Sequence, residues 1–173
     1  MPDDDYEEDW EDDEERDIHA RIHDVDTDKE IYISTVRDDD YERFVDCRVY
    51  NPSLKEYGEG VAIPLAGLHD FLKVVEDVAW QRERTGQIDH RSRVYMADDK
   101  EIDVSTIRDD GYERFVAFRE YKVSLKEYGE GVTVPVGLLH DFKDGVTAAW
   151  HANGSGNWEG DLGPYMGAEG PDQ

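Results

Sequence analysis

The sequence predicts an α+β protein built from two tandem β-β-β-β-α repeats. Residues 29–71 and 100–142 align without a gap at an offset of 71, and 29 of the 43 positions are identical. In each copy apolar residues alternate with polar ones up to a proline, Pro64 or Pro135, and recur at helical spacing after it. A unit of about 50 residues is marginal for burying a core by itself. Two copies are too few for a solenoid, which needs at least three stacked units. Pairing of like with like therefore predicts an intramolecular pseudo-dimer, its curved antiparallel sheets backed by helices.

The elements follow in chain order. Residues 1–28 read as an acidic, largely disordered N-terminal segment, since residues 1–17 hold twelve acidic side chains and one arginine. The first repeat spans 29–80. From Glu30 to Val36, Ile31 and Ile33 alternate with polar neighbours, the period of a half-buried strand. A turn is expected at Asp38–Asp40, matched by Gly111 in the second copy. The next strand, Arg43 to Tyr50, puts Val45, Cys47 and Val49 on one face and Phe44, Asp46, Arg48 and Tyr50 on the other. The loop SLKEYGEG leads to a last strand, Val61 to Ile63, stopped by Pro64. Leu68, Phe71, Leu72, Val75 and Ala79 then form a helical stripe that Trp80 closes. Residues 81–99 read as a basic linker containing Arg82, Arg84, Arg91 and Arg93. The second repeat, 100–150, ends in the stripe Leu139, Phe142, Val146 and Ala149, with Gly145 weakening the helix by about 1 kcal/mol. Residues 151–173 read as a Gly-rich flexible tail.

Composition bounds the function. Asp and Glu outnumber Lys and Arg by 44 to 19, a surface that ordinarily argues against nucleic acid. The acidity extends through both repeats, with more Asp than Glu and little Lys, which fits a protein adapted to a salt-saturated cytoplasm. At molar salt the Debye length is about 3 Å, so acidic surface repels little. No apolar run reaches membrane-spanning length, and the N-terminus lacks the basic and apolar parts of a signal peptide, so a cytoplasmic protein without membrane contact is expected. The single cysteine, Cys47, aligns with Phe118, which marks a core position rather than a nucleophile.

The polar face of the Arg43–Tyr50 strand carries the functional signal. Phe44, Arg48 and Tyr50, with Phe115, Arg119 and Tyr121 in the second copy, interleave rings with guanidinium groups. Bases stack on such rings while cations follow the phosphates. Lys55 and Tyr57, with Lys126 and Tyr128, lie on the adjoining loops and extend the surface. The same spacing also fits packing of Phe44 and Tyr50 against the other repeat.

The runs IYISTVRDDDYERFVDCRVY and DVSTIRDDGYERFVAFREY are each followed by a lysine-containing loop, a Gly-Val strand ending in proline and an amphipathic helix. They resemble the single-stranded-DNA-binding domain of the transcriptional coactivator positive cofactor four, whose fold is similar to Whirly and purine-rich-element-binding proteins. The resemblance covers each repeat almost entirely and leaves the tails and linker unmatched. It implies a fused dimer gripping a single strand through Arg37, Arg48, Tyr50, Lys55, Arg108, Arg119, Tyr121 and Lys126. It further implies a non-enzymatic monomer without cofactor or metal, whose partners are single-stranded nucleic acid and proteins of the transcription machinery. Glu59 and Glu130 depart from the family, which has basic residues just before the glycine of the last strand. Val49 and Asn51 against Glu120 and Lys122 predict halves that bind unequally.

Other chemistry finds little footing. His69-Asp70 and His140-Asp141 lack further ligands for a metal phosphohydrolase and read as a polar helix shoulder. His19 and His23 have the i, i+4 spacing of a helical metal site but no third ligand. No phosphate-cradling loop or nucleophile motif is present. The competing expectation is a protein-interaction module that kept the fold and lost nucleic-acid binding, favoured by Glu59, Glu130 and the overall acidity.

Overall fold

The computed structural model describes residues 15–37, 42–85, 90–97, 99–109 and 112–154. Strands β1 (Glu15–Asp24), β2 (Lys29–Arg37), β3 (Arg43–Asn51) and β4 (Glu56–Pro64) form an antiparallel sheet in that order, and helix α1 (Leu65–Thr85) follows. Strands β5 (Arg91–Ala97), β6 (Lys100–Asp109), β7 (Tyr112–Lys122) and β8 (Glu127–Pro135) form a second sheet of the same order. A 3-10 turn (Val136–Leu138) then leads into helix α2 (Leu139–Ala152). The α+β class and the two like units agree with the sequence pattern.

The first strand of each sheet corrects the expected boundaries. β1 lies in the segment read as disordered and β5 in the segment read as a linker. In β1, Ala20 and Ile22 pair with Ile33 and Ile31, but a bulge between Ile18 and Ala20 breaks the alternation. In β5 only Val94 and Met96 are buried, and Arg91 and Arg93 ahead of them dominate the composition. The boundary placed at residue 28 thus falls inside a sheet. α1 continues past Trp80 to Thr85, so Trp80 does not close the helix. It lies 57% exposed with the Arg84 guanidinium 4.3 Å from its ring. The disorder expected of residues 1–14 and 155–173, and the turns at Asp38–Asp40 and Gly111, lie outside the described residues.

One hydrophobic core serves both units. Phe71 of α1 contacts Phe118 of β7 and Phe142 of α2, with ring centroids 5.5 and 6.4 Å away, and all three side chains are fully buried. The helices also reach across. A Cβ on Gly67 of α1 would lie 2.8 Å from Met96 Sδ of β5, and one on Gly145 of α2 would lie 2.5 Å from Ile33 Cδ1 of β2. The segment after residue 150 begins as structure rather than tail. Buried Asn153 ends α2, its Nδ2 donating to Ala149 O and to Thr35 Oγ1 of β2, both at 2.8 Å. Among the described residues no helix is long and apolar enough to cross a membrane.

Candidate nucleic-acid interface

Alternation along β3 buries Val45 and Cys47 completely and turns Asp46, Arg48 and Tyr50 to the opposite face. There Arg48 stands opposite Tyr32 of β2 and Gly60 of β4, and a bulge brings Tyr50 opposite Tyr57. Gly60 is required by that close approach, because a Cβ on it would come 2.7 Å from the Arg48 Cα. Tyr50 stacks on Tyr32 at 4.8 Å and meets Tyr57 at 4.9 Å between centroids. The Arg21 and Arg16 guanidiniums of β1 lie 5.3 Å from the Tyr32 ring and 4.7 Å from the Tyr57 ring. Burial, with Glu30 adding to it, pushes the Tyr32 phenol up to about 12, and burial also raises Tyr57. Both remain neutral hydrogen-bond donors near neutral pH.

The second sheet repeats the arrangement with different partners. Arg93 of β5 lies 3.8 Å from the centroid of buried Tyr121, which meets Tyr128 at 4.9 Å. Arg119 lies 4.6 Å from the Tyr128 centroid. Arg91 and Arg93 both donate to the Tyr128 hydroxyl, at 3.4 and 3.3 Å. Tyr57 and Tyr128, at equivalent positions, are 42% and 40% exposed, so each offers ring surface to solvent with a guanidinium already in place.

Among the described residues each sheet also buries one carboxylate on this face, from a different strand. In the first it is Asp46 of β3, where the second has Ala117. In the second it is Asp103 of β6, where the first has Tyr32. The consequence is unequal. Asp46 accepts from Arg48 Nε and Nη2 at 3.1–3.3 Å and from Arg16 at 3.1 Å. Burial disfavours the Arg48 charge, but the hydrogen bonds and charge of Asp46, with Glu130 behind them, raise its pKa on balance. Asp103 instead takes Arg93 Nε at 3.1 Å. Arg93 is raised as well, first by Tyr128 and then by Asp103. Among the described residues no carboxylate pairs with Arg119, which is exposed.

The remaining expected site residues sit elsewhere. Lys55 and Lys126 occupy hairpin tips with φ of 56° and 55°, both exposed. Asn51 Oδ1 holds the first tip by accepting from the Ser53 and Leu54 N–H groups, and Asp99 holds the second through the Ser124 N–H at 2.8 Å. Arg37 lies opposite Arg43 in the ladder and lines a small cavity with His19, Thr35 and Asn153. That is the face α2 covers, away from the tyrosines. Arg108 lies near the end of β6, opposite Glu113. The structure therefore groups Arg48 with Tyr50 and Arg119 with Tyr121, and sets Arg37 apart. Arg16, Arg21, Arg91 and Arg93 belong to the layers although the repeat did not mark them. Their signal was the alternation flanking Ile22 and Val94.

His19 and His23 lie on a strand, which corrects the helical spacing considered for them. His19 Nε2 lies 2.6 Å from Thr35 Oγ1, and His23 Nε2 lies 3.5 Å from Asp28. Among the described residues no group of three or more His, Cys, Asp or Glu side chains converges as metal ligands would. Burial pushes the Cys47 thiol far up, out of the reactive range. No protein-family model matches the chain, and no curated protein sequence matches it either.

Proposed function

We propose that the chain binds single-stranded nucleic acid on the outer faces of its two sheets, which act as the halves of a fused pseudo-dimer. The observation that carries this reading is the paired layer of arginines over tyrosines, open to solvent at Tyr57 and Tyr128. A ring flanked by a guanidinium can stack a base while the cation meets the adjoining phosphate, worth about 1–3 kcal/mol per base. The likeness of each repeat to the positive cofactor four domain supports the same reading and makes a coactivator-like role the natural one. In molar salt counterion release adds little, so stacking and close hydrogen bonds carry affinity despite the net charge of −25.

The test is fluorescence anisotropy with labelled single-stranded and duplex oligonucleotides, at low and at multimolar KCl. Arg119→Ala with Tyr128→Ala should weaken single-strand binding by about tenfold or more. A second reading, a protein-interaction module, is favoured by the neutralisation of Arg48 by Asp46 and Glu130. Silence toward every oligonucleotide at every salt concentration would select it.

A further inference from the structure

At the junction of the two sheets, one carboxylate of the second unit rests on two donors of the first. Glu130 of β8 reaches from the second unit to β3 and β4 of the first. Its Oε1 accepts from the Gly60 backbone N–H at 3.4 Å and from Arg48 Nη1 at 3.5 Å. A guanidinium and a backbone N–H converging on one oxygen are donors that proteins direct at phosphate oxygens. The guanidinium is fixed in advance. Asp46 engages Nε and Nη2, and Gly58 O accepts from Nη1 at 2.8 Å. The carboxylate is held loosely by comparison. Its two contacts are longer than the about 2.7–2.9 Å of a strong charge-assisted bond, and the Glu130 side chain is 60% exposed. The equivalent Glu59 makes no matching contact with Arg119 among the described residues.

We propose that Arg48 Nη1 and the Gly60 N–H form a subsite for one backbone phosphate, and that Glu130 fills it as an internal competitor. This rests on the single-strand reading and deepens it. A strand crossing from one sheet to the other displaces the Glu130 carboxylate into solvent and sets a phosphate oxygen on the same two donors. The first half-site is thereby gated and the second is open.

The experiment is an anisotropy titration of the full chain with a labelled single-stranded oligonucleotide at one fixed salt concentration. It compares wild type with Glu130→Gln and Glu59→Gln, and Arg48→Lys with the double variant Arg48→Lys, Glu130→Gln. Glu130→Gln should tighten binding about two- to fivefold, the range expected for releasing one exposed ion pair. Glu59→Gln, which removes the same charge elsewhere, should gain less. The gain from Glu130→Gln should vanish beside Arg48→Lys, which keeps the charge but loses the fork. Equal gains from the two glutamate variants, or a gain that survives Arg48→Lys, overturn the subsite and leave strand binding standing. If wild type and all variants are silent while their melting temperatures are unchanged, the single-strand reading itself falls and the subsite with it.

Discussion

Phe71 in α1 and Phe118 in β7 meet edge to face with ring centroids 5.5 Å apart, and this contact joins the first repeat to the second. Phe118 also stacks on Phe142 of α2 at 5.1 Å. The position equivalent to Phe118 in the first repeat is Cys47, also fully buried. The shared core is therefore lopsided, with a large ring from one sheet answered by a thiol from the other. Edge-to-face pairs of this kind add about 0.5–1.5 kcal/mol beyond the area they bury.

Phe118→Ala should accordingly cost about 3–5 kcal/mol, the range for truncating a fully buried aromatic. Because the ring touches both helices, the loss should appear as a single transition in urea rather than as melting of one unit. Two separated transitions, one of them at the wild-type midpoint, would show that the units do not share their stability.

Gly145 lies inside α2, where helix propensity alone favours alanine by about 1 kcal/mol. The packing reverses that preference. A Cβ there would lie 2.5 Å from Ile33 Cδ1 and 2.8 Å from Ala20 Cβ, so the helix must move off the first sheet to admit it. Gly145→Ala should destabilise by about 1–3 kcal/mol. Gly137→Ala, where nothing lies within 4 Å of the added carbon, should stay within about 0.5 kcal/mol of wild type. Chemical denaturation of both variants checks the contrast. A stabilised Gly145→Ala protein would mean that α2 does not seat against Ile33.

Two strands, the end of a third and the helix of each unit were legible because their alternation and stripe occur twice, with 29 identities to mark what the fold requires. Residues 56–60 of β4, Tyr57 among them, read as loop because their Glu and Gly residues carry no apolar alternation. β1 and β5 were not legible. Their outward positions carry Arg16, Arg21, Arg91 and Arg93, so composition spoke louder than the few inward residues, and the bulge after Ile18 hid the period of β1. The end of α1 was missed because Gln81 to Thr85 continue the helix without an apolar stripe. At the site, the position of Asp46 two residues before Arg48 already placed both on one face. The pairing of that carboxylate with Arg48 was thus latent in the alternation. The reach of Glu130 to Gly60 depends on how the two sheets adjoin, which no local pattern encodes.

His19 and His90 supply the last prediction. Burial lowers both imidazoles from their ordinary 6.5, outweighing Asp17 beside the first and Asp77 beside the second. Thr35 Oγ1 accepts from Asn153 Nδ2 and can give its own proton to a neutral His19 Nε2, so protonating that nitrogen removes the acceptor. The charged groups facing the same cavity are Asp17, Arg37 and Arg43. A histidine whose folded pKa is depressed binds fewer protons folded than unfolded. Its contribution is therefore complete above the unfolded value of 6.5 and is lost as the pH falls from there toward the folded value. Urea midpoints should hold level above that pH and decline below it, before most carboxylates titrate. Replacing both residues, His19→Asn with His90→Asn, should flatten the decline. A decline of equal slope in the double variant would assign the pH dependence to other groups and remove these two histidines from it.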